Sequence, residues 1–415
     1  MSHKIAIIGA GPAGCYVAQS LVKASPDAEI TIIERLPTPY GLIRYGVAAD
    51  HQGTKGVSRQ FSRLFERQGV NFIGNLEVGK DISLEELQNC MDAVVIATGL
   101  YADREIDVQG NDLKNIYGAG EISRFWNAHP DSELFQPSLG KTVAVFGNGN
   151  VAMDIIRLLA KPESGFEGSD FNPSHVNDQV SKIHVIGRSP LEHAKFDPVL
   201  IHELKDIEGL NCSLAQGDFL ASSQDNPTAV ALAELLESQD QSGSKEVVFH
   251  SGWQVEAFCG GKGCVNSVLV RNSGSNDVKT IECDSVITAI GFEDSGTLDR
   301  DMILSEAEGA EDGIISQGTF MTGWFKRGPS GTIPENRTDS QKVAKSIISW
   351  LESTVSDKPG KAAILEQFGH RITSYEDWLA IDRIETRFGG EKRCRQKISS
   401  WKTMMAAIEQ QRNAV

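Results

Sequence analysis

Two glycine loops, each preceded by a short apolar run and followed by a helical pattern, constrain this chain of 415 residues more than any other feature. The first, Gly9-Ala10-Gly11-Pro12-Ala13-Gly14, follows an apolar run from Lys4 and opens a helical stretch from about Ala13 to Ser25. A second extended run, Glu29 to Glu34, comes next, so the order is strand, loop, helix, strand. In such a loop the first glycine permits the turn, the second lets a diphosphate approach the backbone, and the third lets helix and strand pack closely. The anion then rests on the helix N-terminus. The pattern begins again at Thr142 to Gly147, with the loop Gly147-Asn148-Gly149-Asn150-Val151-Ala152 and a helix from Val151 to Ala160; Ala152 stands where only close packing is needed. Two such starts predict an α/β chain with two Rossmann-like dinucleotide-binding domains.

The residue ending the strand after each loop distinguishes the two sites. Glu34 offers a carboxylate that accepts hydrogen bonds from both hydroxyls of an adenosine ribose and repels a 2′-phosphate, which favours FAD or NAD. The equivalent strand of the second unit, Ile183 to Gly187, ends in Arg188, whose guanidinium pairs with a 2′-phosphate and favours NADP. The division of labour expected is FAD held permanently in the first site and a nicotinamide nucleotide visiting the second, with hydride transfer between them.

The apolar runs Ala93 to Gly99 and Ser285 to Gly291 end alike, in Ala97-Thr98-Gly99 and Ala289-Ile290-Gly291, and read as strands that leave and re-enter a domain. The expected architecture is therefore an FAD domain over 1–103, an inserted NAD(P) domain over 104–292, the rest of the FAD domain over 293–357, and a helical C-terminal extension over 358–415. Stretches rich in Gly, Ser and Asn at 162–181, 222–228 and 240–245 read as surface insertions. Lys and Arg number 40 against 56 Asp and Glu, and the resulting net charge of -16 argues against a general nucleic-acid binder. Seven thinly spread cysteines do not form a secreted disulfide framework and point to a reducing compartment, the cytoplasm being the simplest. No apolar run reaches the roughly 18 residues of a membrane span, and no metal-ligand spacing stands out.

Carrying these motifs, the chain resembles the adrenodoxin-reductase-like branch of ferredoxin-NADP reductases over residues 3 to about 350. The strings that carry the resemblance are the Gly9 to Gly14 loop, Pro39-Tyr40-Gly41-Leu42-Ile43-Arg44-Tyr45-Gly46-Val47-Ala48 through Asp50-His51, the second loop continued by Met153-Asp154, and Gly323-Trp324-Phe325-Lys326-Arg327-Gly328-Pro329-Ser330-Gly331-Thr332-Ile333. The C-terminal extension is expected to lie outside it. The resemblance implies that Leu42, Val78, Trp324, Gly331, Thr332 and Ile333 contact FAD, alongside Gly9, Gly11, Pro12, Ala13, Gly14 and Glu34 of the first loop and strand. It places Asn148, Gly149, Asn150, Val151, Arg188, Ser189 and Glu203 on NADP, with Trp324 and Gly331 bordering the nicotinamide. It makes His51 the active-site histidine, Asp206 a carboxylate that assists it and Trp324 a catalytic wall, and it implies a ferredoxin as electron acceptor. Asp154 is expected to be structural.

Two departures from the family accompany the resemblance. Where the family has two consecutive arginines this chain has Arg188-Ser189, so NADPH preference is expected to be reduced and NADH used appreciably, with Lys195 available to compensate. The segment at 222–245 that corresponds loosely to the family's basic ferredoxin surface reads Ser222-Ser223-Gln224-Asp225 through Glu234 and Glu237 to Lys245, with one basic residue. A cluster at Arg383, Arg387, Lys392, Arg393, Arg395, Lys397 and Lys402 offers another docking patch, a solvated helix face being the plainer reading. The principal alternative function is an NAD(P)H-dependent flavin disulfide reductase using Cys259 and Cys264, although Gly260-Gly261-Lys262-Gly263 between them reads as a hairpin.

Overall fold

Lys4–Ile8 lies inside a six-stranded sheet and pairs in parallel with Glu29–Ile33 on one side and Ala93–Ile96 on the other. The computed structural model describes residues 2–175, 179–216, 218, 226–237 and 243–413. The sheet order is Ile314–Ser316, Thr319–Met321, Ala93–Ile96, Lys4–Ile8, Glu29–Ile33, Asn71–Ile73, and only Ile314–Ser316 runs antiparallel to its neighbour. Near-continuous apolar sequence in these strands follows from burial of both faces. Ile5 and Ile7 pack into one core with Val17, Leu21, Val343 and Ile347, whereas Ala6 and Ile8 pack into another with Val94, Ile96, Met321 and Phe325.

The chain forms two compact units, one of residues up to Ala102, Asn127–Glu133 and Phe292 onward, the other of Asp103–Trp126 and Leu134–Gly291. Asn127–Glu133, expected with the second unit, clusters with the first because Lys55 and Lys397 donate to Asn127 and Arg35 pairs with Asp131. The last stretch is helical, with helices Lys361–Phe368, Tyr375–Gly389 and Trp401–Asn413, but it is no appendage. Tyr375, Trp378, Ile381, Ile398, Met404 and Ile408 belong to the same core as Ile5 and Ile7, and Ile364, Phe368 and Ile372 belong to the core on the other face.

The second unit carries a six-stranded parallel sheet ordered Ile116–Gly118, Ser285–Thr288, Thr142–Phe146, Lys182–Gly187, Lys245–Ser251, Leu210–Leu214. Ser285–Thr288 therefore lies inside this sheet, and the chain returns to the first unit only after it, at Phe292. An antiparallel sheet of Trp253–Gly261, Cys264–Asn272 and Val278–Glu282 completes the unit. In the stretch at 162–181, read from its composition as a surface insertion, residues 162–165, 167 and 168 are exposed, but buried side chains tie it down. Phe166 and Phe171 are each 1% exposed and stack 4.1 Å apart, with Phe171 against Trp126, so two aromatics anchor it in the core. Of the other two stretches, residues 222–225 and 240–242 lie outside the described residues, and Pro227 begins helix Pro227–Glu237.

Candidate functional site

Helix Pro12–Ala24 begins at Gly11, where no side chain caps it, so its first-turn N–H groups point toward whatever lies beyond the loop. Gly9 has φ +106°, and a Cβ there would stand 2.5 Å from the Ala97 carbonyl oxygen; at Gly14 it would stand 2.1 Å from the Gly9 carbonyl oxygen. These two glycines are required by the protein itself. Gly11 differs, since a Cβ added there meets nothing within 4 Å. That is the cradle of the loop, an approach left open on a glycine beside uncapped donors, and its donor set fits a dinucleotide diphosphate.

From this cradle a cleft of about 270 Å³ runs past Gly9, Glu34, Val78, Thr98, Gly99 and Thr297. The buried Glu34 carboxylate accepts N–H donations from Ala10 at 3.0 Å and Leu36 at 3.2 Å. Burial pushes the Glu34 carboxyl above the usual carboxylate range, and the two main-chain donors only partly oppose it. Further donors, such as a ribose diol, suit this acceptor. Val78, 4% exposed, forms an apolar wall of the same cleft. Sequence reasoning missed another wall. Asp131 accepts from Arg35 at 2.7 Å and from the Tyr101 hydroxyl at 2.6 Å, and the Arg35 guanidinium lies 4.8 Å from the centre of the Tyr101 ring. Burial works against the Arg35 charge, but the Asp131 carboxylate outweighs it and keeps the guanidinium protonated. No local pattern marks Asp131, because only tertiary folding brings 127–133 into the first unit.

The loop from Tyr40 sits directly on the glycine turn. The Tyr40 N–H donates to Ala10 at 3.0 Å, and a Cβ on Gly41 would fall 2.9 Å from the Gly11 Cα. Leu42 remains 38% exposed, so a large apolar side chain is left uncovered next to the cradle. The Gly-Trp segment meets the same helix start, since a Cβ on Gly323 would lie 2.5 Å from the Ala13 Cβ. Asp339 holds that segment through the Gly323 N–H at 2.8 Å and Lys326 at 2.5 Å. Trp324 stacks on Phe292 with ring centres 5.6 Å apart, and its buried Nε1 has no hydrogen-bond partner among the described residues. An orphaned indole donor fits a bound heteroaromatic acceptor. Gly331, φ +87°, and Thr332 are exposed ahead of helix Ile333–Glu352, whose first residue Ile333 packs against the core. The residues present therefore fit FAD, which the cleft, the cradle and the Trp324 side would hold.

In the second unit the geometry repeats. Gly147 has φ +136° and a Cβ would lie 2.3 Å from the Ala289 carbonyl oxygen, so Ala97 and Ala289 play one role in the two units. Gly149, N-cap of the otherwise uncapped helix Asn150–Ala160, again has nothing within 4 Å of an added Cβ. Asn150 Oδ1 accepts from the Asp197 N–H at 2.7 Å, Asn148 Nδ2 donates to the Ser189 carbonyl at 3.4 Å, and Val151 is half-buried. Arg188 is exposed at the end of Lys182–Gly187. Lys195 is exposed too, and its N–H donates to the Asn148 carbonyl at 2.7 Å, which places it beside the loop. Glu203 is engaged otherwise, 3.1 Å from Nε of the fully buried Arg157, which Asp154 meets at 2.9 Å. This ion-paired group explains Asp154 as a structural residue and gives Glu203 a structural contact as well.

His51 is half-buried at the N-cap of the short helix Gln52–Lys55 in the first unit. Asp206 is exposed at the C-cap of helix Pro198–Lys205, in the second unit. Cys259 and Cys264 lie on neighbouring strands of the antiparallel sheet, where Cys259 faces Ser267 and Cys264 faces Gly261, so they are not cross-strand partners. All seven cysteines are free thiols. In the basic cluster, Lys397 is buried and Arg395 pairs with Asp382, which leaves Arg383, Arg387, Lys392 and Lys402 exposed.

A family model described as pyridine nucleotide-disulphide oxidoreductase matches residues 3–206. The chain is 42% identical to a cindoxin reductase of Citrobacter braakii over 97% of this chain and 90% of that protein. It is 29% identical to a mitochondrial NADPH:adrenodoxin oxidoreductase of Arabidopsis thaliana over 97% of this chain and 95% of that one. The solved structure of Mycobacterium tuberculosis FprA in complex with NADPH superposes with a TM-score of 0.91 at 25% identity, covering 99% of this chain and 100% of that one. These matches take in the C-terminal helices, which corrects the expectation that similarity stops near residue 350. Sustained over nearly the whole length, they show that the chain belongs to the adrenodoxin-reductase-like family of ferredoxin-NADP reductases.

Proposed function

We infer that this protein is an FAD-dependent NADPH:ferredoxin reductase, taking a hydride from the nicotinamide and passing single electrons to a ferredoxin-type carrier. The observation that carries the reading is the pair of glycine cradles with the same geometry and opposite flanking charges, buried Glu34 at one and exposed Arg188 at the other. Bound flavin supplies the conversion of a two-electron donor to a one-electron carrier. The protein's own residues bind and orient. Uncapped helix starts take the diphosphates, Glu34 takes a ribose, and Val78, Leu42 and Trp324 supply apolar surface. Arg188, with Lys195 beside the same loop, takes the 2′-phosphate. His51 is the group that holds or relays a proton near the flavin.

Among the described residues no helix is long and apolar enough to cross a membrane. The seven free thiols support placement in a reducing compartment, and we place the protein in the cytoplasm. The test is anaerobic reduction of the bound flavin by NADPH and NADH, followed by electron transfer to cytochrome c with and without ferredoxin. Flavin reduction with no stimulation by any ferredoxin rejects the partner. Turnover abolished by Cys259→Ser and Cys264→Ser replaces this reading with disulfide reduction.

A further inference from the structure

The loop that rests on the first glycine turn is held from the far end of the chain. Tyr40, a non-glycine residue at φ 83°, and Gly41 at φ +47° press the loop onto Ala10 and Gly11, and the positive φ at Tyr40 persists only where surrounding structure enforces it. Enforcement comes from the C-terminal helices. The Arg44 guanidinium, 4% exposed, meets Glu385 Oε1 at 2.6 Å, and Glu385 is fully buried. The same Oε1 accepts from the Ile398 N–H at 2.9 Å, which ties the helix to the segment after it. Lys397 donates to the Arg44 carbonyl at 3.0 Å and to Asn127 Oδ1 at 3.0 Å, and Asn127 in turn donates to the Val47 carbonyl at 3.1 Å. Trp378 lies under the Arg44 guanidinium at 4.7 Å, and the Tyr40 and Tyr375 hydroxyls are 2.9 Å apart.

We propose that Glu385 is a positioning residue for the flavin: through Arg44, and together with Lys397, it clasps the Tyr40–Gln52 loop onto the glycine turn and so sets how tightly this chain retains FAD. Buried ion pairs contribute little net stability over apolar residues of similar volume, because desolvating both charges costs about what their attraction returns. What such a pair provides here is one defined arrangement, since the buried Glu385 carboxylate meets its nearest cation only when Arg44, and with it Leu42, is in place, Arg395 standing farther off at 3.8 Å. Simple packing of the C-terminal helices would need no carboxylate at this depth. The inference rests on the reading of the first unit as the FAD site.

The experiment uses the full-length holoprotein and the variants Glu385→Gln, Lys397→Met and the double apolar variant Arg44→Met/Glu385→Met. FAD release is followed as the rise in free-flavin fluorescence after dilution. The visible circular-dichroism band of the bound flavin is recorded at saturating FAD, and thermal midpoints are measured alongside. The clasp predicts FAD release at least tenfold faster in E385Q and in K397M, with an altered flavin dichroism band in both. The double variant should recover its thermal midpoint without recovering slow FAD release. Wild-type release rates in E385Q and K397M overturn the proposal, as does a double variant that regains both properties, which makes the pair mere filling. Should E385Q fail to fold, K397M and the double variant decide. A wild-type protein that holds no FAD at all overturns the flavin reading instead, so the two failures are distinct.

Discussion

Replacing Arg188 by alanine removes the one guanidinium that the second unit presents at the end of strand Lys182–Gly187, and the consequence should fall on one nucleotide only. NADPH and NADH differ solely in the 2′-phosphate, so a residue that binds it changes their ratio and leaves the dihydronicotinamide chemistry alone. A charge-assisted contact of this kind contributes about 1.5 to 3 kcal/mol, which corresponds to roughly 10-fold to 150-fold in kcat/KM for NADPH. Two features push the expected loss toward the lower end. Arg188 is exposed, so water and salt screen its charge, and Lys195 stands beside the same loop to share the phosphate. The expected outcome for Arg188→Ala is therefore a fall of about 10-fold to 30-fold for NADPH with NADH unchanged within about twofold. The neighbouring position gives the converse. Ser189→Arg restores a second guanidinium and should raise NADPH selectivity by about tenfold or more. The assay is stopped-flow flavin reduction under anaerobic conditions across a concentration series of each nucleotide, at low and at physiological salt. A ratio unmoved by Arg188→Ala refutes the assignment of Arg188. A wild-type preference for NADPH above about a thousandfold refutes the argument that one arginine with Ser189 discriminates weakly.

The two loop glycines should separate folding from binding: Gly9→Ala strains a φ of +106° against the Ala97 carbonyl and should cost more than about 2 kcal/mol by denaturant unfolding of the FAD-free protein, while Gly11→Ala should keep the midpoint of the FAD-free protein yet fail to hold FAD by ultrafiltration. His184 and His250 touch at 2.9 Å, and burial depresses them to about 4 and about 3. The unfolded chain binds their protons from about pH 6.5 downward and the folded protein does not, so stability falls as pH drops through that window; His184→Asn/His250→Gln should flatten this acid limb in thermal melts between pH 7 and about pH 4. Reversing charge at the exposed Arg383, Arg387 and Lys392 should raise the KM for an acidic ferredoxin several-fold, most at low salt, with NADPH:ferricyanide turnover unchanged; equal ferredoxin kinetics would return the patch to a solvated helix face.

Much of the site was legible in the chain itself, and for one reason. A dinucleotide cradle is built from contiguous residues whose requirements are local: a left-handed turn at Gly9 or Gly147, an open backbone at Gly11 or Gly149, and a helix start that needs no side-chain cap. Glu34 ends the strand after one helix, and Arg188 ends the strand that follows a helix and the 162–181 stretch, so the charge contrast between the two sites was readable without any long-range contact. Tertiary structure alone decided the rest. That Asp131 faces Arg35 depends on a seven-residue excursion, Asn127–Glu133, clustering with the first unit, and nothing in its sequence period announces that choice. The contact of Glu203 with the buried Arg157 is likewise visible only in the folded chain. Phe166 and Phe171 anchor a largely exposed Gly- and Ser-rich stretch to the core because two aromatics bury themselves once they meet. Most consequential is the C-terminal segment, which reads as a charged helical tail. Glu385 and Lys397 acquire their meaning only when folding sets them against Arg44, some 340 residues earlier in the chain, because burial converts two surface-type side chains into partners that must be satisfied.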